Sequence, residues 1–447
     1  MALVHPPIVA KFGGSSLASA AQIQKARAII EADPARRYVV PSAPGKRSAD
    51  DRKVTDLLYL CHEAATQGVA FGEAFERVAD RFLGITRELG LGLDMAGLLG
   101  AVEAGIVEEA RAGRGPDYAA SRGEYLNGQV LAELLGFALV DPAEAIYFDA
   151  AGRFDAARTY ATLSEVLAER GRAVVPGFYG RAHDGSGVRT FSRGGSDVTG
   201  AIVARAVGAG VYENWTDVSG LLMTDPRVVS EPATIETLTY RELRELSYSG
   251  ATVLHPEAVF PVREAGIPVN IRNTNDPDHA GTRIVATESA TPSGRPITGI
   301  AGRKDFTVIH LEKALMNEVV GYGEQVLGIL RREGVSFEHM PSGIDTLSIV
   351  VADTELEGRL ERLLRELKRA VEPDAMEVDP DLALIATVGR DMKTQPGRAA
   401  RLFTALAEAG VNIRMIDQGS SELNIIVGVD VKDYEVAVRA IYAAFVG

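Results

Sequence analysis

Short apolar runs alternate with longer amphipathic stretches along most of the chain, and this alternation restricts the fold more than any other feature. Residues 8–11, 38–42, 173–178, 211–216 and 267–272 read as buried strands. Apolar residues at i, i+3, i+4 spacing predict helices over 20–32, 53–67, 71–89, 129–137, 156–170, 198–209 and 240–249. Strands and helices of these lengths in alternation call for an α/β domain with a mostly parallel sheet, helices covering both faces. Ligands of such sheets bind beyond the carboxyl ends of the strands, and glycine and serine crowd those exits here, as in Gly13-Gly14-Ser15-Ser16.

The 447 residues are enough for roughly three domains at about 150 residues each. The texture changes over 276–295, rich in Pro, Gly, Thr and Asp, which predicts a domain boundary. Beyond it the chain repeats itself. Gly321 opens a helical pattern that ends at Gly334, and 335–340 and 345–351 read as strands. An offset of 76 residues carries Gly321 to Gly397 and Gly334 to Gly410, followed by strand-like 411–416 and 422–429. The helix-ending glycines suit a left-handed cap. Two small strand–helix–strand–strand units follow from this, without a reactive cluster, as a ligand-sensing or dimerising region.

A formal charge of −14 opposes sequence-independent nucleic-acid binding, although a few local Arg and Lys still make an anion site. The single cysteine, Cys61, fits a reducing compartment. No run is apolar enough to span a membrane, and residues 1–7 lack a signal-peptide pattern. The expectation is a cytoplasmic protein with neither nucleic-acid nor membrane partners. The seven histidines are scattered singly, and no metal-ligand spacing, P-loop or nucleophile elbow occurs.

Three segments carry candidate chemistry. In Lys11-Phe12-Gly13-Gly14-Ser15-Ser16 a strand ends in lysine, and glycines then free the backbone before a helix. Gly-Gly-Ser alone suits a capped turn, but burying the lysine calls for an anionic partner. Arg193-Gly194-Gly195-Ser196-Asp197 again sets glycines before a helix, with an arginine suited to a carboxylate; Asp197 alone reads as a cap. Asn214-Trp215-Thr216-Asp217, continuing to Thr224-Asp225-Pro226-Arg227, follows a strand and is dense in turn formers, with Trp215 read as core. Ser42 and Thr55 flank a polar loop, and Ser121-Arg122-Gly123-Glu124 reads as a helix opening.

Taken in order, these segments resemble the aspartate kinases of the amino-acid kinase family. The match runs through KFGGSS (11–16), RGGSD (193–197), WTDV (215–218), TDPR (224–227), VLHP (253–256), SFEHMPSGID (336–345) and MIDQGSSELN (415–424). The resemblance implies a three-layer α/β/α kinase domain over 1–294. It also implies two ACT (ferredoxin-like) units, one over 304–376 and one over 295–303 with 377–447. It ends without the dehydrogenase domain fused to some aspartate kinases. The implied reaction is ATP-dependent phosphorylation of the β-carboxylate of L-aspartate to 4-phospho-L-aspartate, the entry to lysine, threonine and methionine biosynthesis. A carboxylate is already ionised at neutral pH, so the chemistry needs positioning and charge neutralisation rather than a general base.

By the same resemblance Lys11 and Asp197 are catalytic, and Lys11, Gly13, Gly14, Ser15, Thr216, Asp217, Leu222, Arg227 and Thr252 hold ATP. Ser42, Thr55, Glu124, Arg193, Gly194, Gly195 and Ser196 hold aspartate; Gly195 also offers its N–H to phosphate. Mg²⁺ is carried by ATP and water, with no protein metal site. Several relatives have Tyr at position 222 and Lys at position 252. Met316, Val319, Ser336, Phe337, Glu338 and Ser342 form an effector site for lysine, with threonine as alternative. A homodimer or homotetramer through the ACT units follows. The competing readings are a glutamate or acetylglutamate kinase of the same fold, and a non-catalytic amino-acid sensor.

Overall fold

Alternation along the first strand sets the catalytic architecture. Ala10 and Phe12 point into one apolar core, so Lys11 between them faces the opposite side of the sheet. This computed structural model describes residues 6–185, 187–192, 194–251, 254, 256–287, 295–392, 395–419 and 421–447, without the side chains of Pro256 and Asp391. The strands are β1 (Ile8–Phe12), β2 (Arg36–Pro41), β3 (Ala138–Leu139), β4 (Ala173–Val174), β5 (Tyr179–Arg181), β6 (Val188–Thr190), β7 (Val211–Thr216), β8 (Thr237–Thr239), β9 (Val269–Asn273), β10 (Thr282–Val285), β11 (Gly299–Glu312), β12 (Thr346–Ala352), β13 (Ala375–Val388), β14 (Ile413–Asp417) and β15 (Asn424–Asp430). The helices are α1 (Ala20–Ala32), α2 (Val54–Thr66), α3 (Gly72–Leu89), α4 (Met95–Arg111), α5 (Asp117–Leu135), α6 (Pro142–Ala145), α7 (Ala156–Arg170), α8 (Gly195–Ala206), α9 (Tyr240–Tyr248), α10 (Phe260–Glu264), α11 (Tyr322–Glu333), α12 (Asp353–Leu356), α13 (Leu360–Val371), α14 (Arg398–Glu408) and α15 (Tyr434–Phe445).

The chain divides into two compact units. The first, Met1–Leu221 with Thr234–Tyr240 and Val253–Thr291, holds an eight-stranded sheet of order β3-β4-β2-β1-β7-β9-β10-β8. Every pairing in it is parallel except β9 with β10. Helices α1 to α5 pack on the Phe12 face, and α8 covers the Lys11 face. A buried carboxylate locks the sheet centre. Glu213 receives Arg36 Nε at 2.7 Å, Arg36 Nη2 at 3.1 Å and Trp215 Nε1 at 2.9 Å. Arg272 lies 3.5 Å from the same carboxylate and its guanidinium stacks 4.5 Å from the Trp215 ring.

The second unit comprises Leu222–Ala233, Arg241–Thr252 and Pro292–Gly447. Its five-stranded antiparallel sheet has the order β12-β11-β13-β15-β14. The long strands β11 and β13 pair along their whole lengths, with irregular register around Phe306. The first half of β11 meets the half of β13 that pairs with β15, and its second half pairs with β12. Two ACT folds thus share two strands. Gly321 and Gly397 stand at the N-caps of α11 and α14; Gly334 and Gly410 follow the helices with φ of +66° and +71°. The 222–233 excursion is tied to α15, where Tyr442 Oη accepts the Ala233 N–H at 2.8 Å and Arg439 donates to the Val228 carbonyl at 3.0 Å.

Several expectations need correction. Helix α5 begins at Asp117 and runs through Ser121–Glu124, because small residues at 119, 120 and 123 blur its apolar stripe; Glu124 therefore does not open a helix. Helix α4 was not expected. The expected strand 173–178 reduces to β4, since Pro176 and Gly177 interrupt it. The stretch 276–295 contains β10, so it is not merely a linker; residues 288–294 lie outside the description. Residues 335–340 contribute only isolated bridges beside β12. Among the described residues no helix is long and apolar enough to cross a membrane.

Removing the Glu213 carboxylate with Glu213→Ala strands the buried Arg36, a loss of about 3–5 kcal/mol. The measurement is the thermal midpoint followed through Trp215, the only tryptophan. An unchanged midpoint contradicts this account.

Candidate active site

Strands β1 and β7 run in parallel register with Lys11 opposite Asn214. Helix α8 starts at Gly195 after Gly194 in the left-handed region (φ +55°), which points its first turn at these strands. Lys11 Nζ lies 2.6 Å from Asp197 Oδ1 and donates to Asn214 Oδ1 at 3.3 Å. Asn214 Nδ2 closes the triangle on Asp197 Oδ1 at 2.9 Å. An ammonium has three donors, so Lys11 keeps one for an incoming ligand. Asp197 sits in the first helical turn, but its carboxylate serves the lysine rather than capping the helix. A Cβ placed on Gly13 would come 3.6 Å from Lys11 Nζ, so the ammonium lies over the glycine turn.

The glycine turn grips the next loop. Gly45 N–H donates to the Gly14 carbonyl at 2.8 Å, and a Cβ on Gly45 would fall 2.6 Å from the Gly14 carbonyl carbon. The loop is fixed from behind by buried Arg81, which donates to the Gly45 carbonyl at 2.8 Å and pairs with Asp51. Paired arginines hold the Asp51 carboxyl well below the usual carboxylate range. Gly13 cannot serve phosphate as expected, since its N–H is committed to the Trp215 carbonyl at 2.9 Å. Among the described residues no acceptor meets the Gly14 N–H at the turn or the Gly195 N–H at the start of α8.

Across the loop stands α5. Asn127 donates to the Ser42 carbonyl at 2.7 Å, and the Ala43 N–H bonds the Glu124 carboxylate one turn earlier. Gly123 lets the helix approach this closely, because a Cβ there would meet Ala43 Cβ at 2.7 Å. Glu124 is buried and its Oε2 has no partner. Burial pushes its carboxyl up to about 8, against the Ala43 N–H, its own N–H and Arg122. Arg122 itself is caged by Tyr118 and Tyr125, each 4.6 Å from the guanidinium, and Tyr179 at 5.1 Å.

The structure therefore gathers Lys11, Gly14, Asp197 and Gly195 at one strand exit, with Ser42 and Glu124 joined to it through the Gly14–Gly45 contact. Thr55 lies in the first turn of α2, whose Val54 lines the space beside Gly123. Ser15 follows Gly14, and Ser196 is buried against Gly177. Thr216 and Asp217 end β7, the threonine hydroxyl donating to Asp217 at 3.2 Å. Leu222 and Arg227 belong to the second unit, where Arg227 pairs with Asp225 at 2.7 Å. Arg193 and Thr252 lie outside the described residues. Sequence reasoning missed Asn214, Gly45, Asn127 and Arg81 as contributors. Lys11 and Asn214 become neighbours only through parallel pairing, which no local pattern reveals. Met316 is buried in an apolar core, while Val319, Ser336, Phe337 and Ser342 are exposed. Glu338 is engaged by Arg303 at 3.4 Å. Among the described residues no group of three or more acidic, histidine or cysteine side chains could hold a metal ion.

Glu124 also makes a stability prediction. Its folded pKa is raised above the unfolded value, so the folded state binds the extra proton and stability falls as pH rises from about 4.5 to 8. Glu124→Gln removes this penalty. The variant should melt higher than the parent at pH 9 and match it at pH 4; a gain that does not grow with pH contradicts the burial argument.

Comparison with known proteins agrees with this geometry. A profile of the amino acid kinase family matches residues 6–273, and one of the ACT domain matches 385–445. Aspartokinase 3 of Bacillus subtilis is 40% identical over 448 residues, covering 98% of each chain. The bifunctional aspartokinase/homoserine dehydrogenase 1 of Zea mays is 29% identical, and this chain spans 50% of it. Among solved structures, the aspartate kinase of Clostridium acetobutylicum superposes with a TM-score of 0.91 at 50% identity, over 98% of this chain and 100% of that one. Escherichia coli aspartokinase III, solved with aspartate and ADP, gives 0.73 at 27% identity over 98% and 99%. A lysine strapped to an aspartate at a glycine-rich strand exit, in a chain of this similarity and coverage, makes the protein a member of the amino acid kinase family and, within it, of the aspartate kinases.

Proposed function

We propose that the chain transfers the γ-phosphoryl group of ATP to the β-carboxylate of L-aspartate, giving 4-phospho-L-aspartate and ADP. This would open a biosynthetic route to lysine, threonine and methionine. The observation that carries the reading is the Lys11–Asp197–Asn214 triangle, its lysine buried, with one ammonium donor to spare. A carboxylate oxygen forms the new bond to phosphorus as the bond to the ADP oxygen breaks. No proton moves, because the acceptor is already ionised. The protein's part is to hold both reactants and to oppose the charge of the phosphoryl group, which Lys11 does as a fixed cation. Asp197 and Asn214 orient it.

In this reading Gly14, Gly195 and Ser15 supply donors to phosphate, and Thr216, Asp217, Leu222, Arg227 and Thr252 hold the nucleotide. Arg193 binds the aspartate α-carboxylate, Glu124 its ammonium, and Ser42, Thr55, Gly194 and Ser196 complete the pocket. An arriving ammonium gives the neutral Glu124 reason to ionise. Mg²⁺ would come on the ATP phosphates and supply charge neutralisation there. Asp197, beside Lys11, would orient those metal-bound phosphates.

The domain limits belong to the same proposal: a kinase domain over 1–294, one ACT unit over 304–376, and another over 295–303 with 377–447. Pairing of the first half of β11 with β13 supports that division. Lysine is the proposed effector at the first ACT unit, with threonine second, in line with the E. coli aspartokinase III structure solved with lysine and aspartate. Assembly as a homodimer or homotetramer draws support from exposed Val320, Ile344 and Leu315 on that unit.

Incubation with Mg·ATP, hydroxylamine and each candidate acid tests the reaction. Aspartyl hydroxamate and ADP should form with L-aspartate, and neither with L-glutamate nor with N-acetyl-L-glutamate; hydroxamate only from another acid overturns the assignment. Lys11→Ala should lower turnover by about 100-fold or more with the fold retained by circular dichroism. Titrating the aspartate-dependent rate with lysine should show inhibition. A flat response to lysine and threonine alike removes the effector assignment.

A further inference from the structure

A guanidinium is buried at a cost unless acceptors surround it, so the partners of a buried arginine show what it ties together. Arg81 stands in α3, whose Val78, Phe82 and Ile85 root the helix in the apolar core. Its side chain is 5% exposed, and its partners come from three different places. Nη1 donates at 3.3 Å to the carbonyl of Ala18, at the far end of the short turn Ser15–Leu17 that follows Gly14. The same nitrogen donates at 2.8 Å to the Gly45 carbonyl. Nη2 pairs with Asp51.

Asp51 in turn gathers the loop between β2 and α2. Its carboxylate accepts the Arg47 N–H at 3.0 Å, Arg47 Nε at 2.9 Å and the Arg52 N–H at 3.1 Å. Among the described residues every other hydrogen bond of residues 46–52 stays within the loop, so past Gly45 this carboxylate is the polar tie to the body of the unit. Two halves of the candidate site thus meet at one side chain. Gly14 and Ser15 lead into the Ala18 end of the clamp. Ser42 lies three residues before Gly45, and Thr55 four residues after Asp51, at the other end.

We propose that Arg81 is a positioning residue for phosphoryl transfer. The inference rests on the kinase reading above. Arg81 acts through the segments it holds: it sets the separation between the turn that receives phosphate and the loop that receives the acceptor carboxylate. The planar fork suits this task. Its two terminal nitrogens address two carbonyls and a carboxylate at once, which a lysine ammonium on a flexible stem does not reproduce. Each reactant binds through its own groups, whereas in-line transfer needs both at contact distance. Loss of the fork therefore spares the binding of each reactant and slows the step that joins them. Arg47 has a different place. At 58% exposure it meets Asp51 from the solvent side, so the inner pair survives without it.

The test measures kcat and KM for ATP and L-aspartate in Arg81→Lys, Asp51→Asn, the double variant and Arg47→Ala, together with thermal midpoints and calorimetric affinities for ADP and L-aspartate. Arg81→Lys should melt cooperatively and lose about tenfold or more in kcat, with each KM and affinity within about threefold of the parent. Asp51→Asn should behave alike, and the double variant should be no slower than the slower single one, because both changes break one contact. Arg47→Ala should keep the parent kcat. Arg81→Ala should regain part of its kcat with added methylguanidinium and none with methylammonium. A parent-like kcat in Arg81→Lys overturns the proposal, as does a loss confined to KM. So do additive losses in the double variant, an equal loss in Arg47→Ala, or recovery with methylammonium. Should Arg81→Lys fail to fold, Asp51→Asn set against Arg47→Ala carries the test. An active parent with unaffected variants removes this inference alone, whereas a parent that does not turn over L-aspartate removes the kinase reading and the inference with it.

Discussion

A lysine ammonium buried at the end of a central strand is the constraint around which the catalytic unit is arranged. Such a charge is tolerated inside a protein only if acceptors surround it. Meeting that need fixes three elements at once. Strand β7 must run in register beside β1 to present Asn214. Helix α8 must begin close enough to bring Asp197 to 2.6 Å. The turn after β1 must pass beneath the ammonium at Gly13 and stay bare at Gly14, where a Cβ would come 2.9 Å from the Ala43 carbonyl oxygen. The close contact of Gly14 with Gly45, and of Gly123 with Ala43, carries the same placement outward to α5.

Three carboxylates in this unit, Glu213 and Glu124 buried and Asp197 half-buried, show how environment differentiates one chemical group. Glu213 is enclosed by Arg36, Arg272 and the Trp215 indole, and it is structural glue. Asp197 is matched to one lysine that retains a donor, so the pair is neutral but open to an anion. Glu124 has backbone donors and a distant arginine, with one oxygen left over, so it holds a proton in the resting state.

Much of this was open to sequence reasoning, for physical reasons that can be named. Helices Ala20–Ala32 and Ala156–Arg170 follow capping Ser19 and Asp155, and their limits were readable to the residue. The repeat was readable because glycine is needed where φ is positive, at Gly334 and Gly410 alike. Helix α5 was cut short because alanine and glycine, which allow the close approach to Ala43, weaken the very pattern that announces a helix. Asn214, Gly45 and Arg81 were invisible because their partners are remote in sequence: Lys11 is 203 residues from Asn214, and Arg81 is 36 from Gly45. The family motifs singled out Lys11 and Asp197, which the structure brings together, but only pairing of strands revealed Asn214 beside them.

The threading of the second unit has a further consequence. Two excursions, Leu222–Ala233 and Arg241–Thr252, leave the kinase portion of the chain and belong to the same compact unit as the C-terminal residues. The first is fastened to α15 by Tyr442 and Arg439. The ACT region is therefore not a cassette that recombination could add or delete with one cut near residue 294. Any such exchange would cost α15 its bonds to Val228 and Ala233 and leave both excursions, one of them carrying α9, without the rest of their unit. The kinase and regulatory portions are interlaced in the covalent chain.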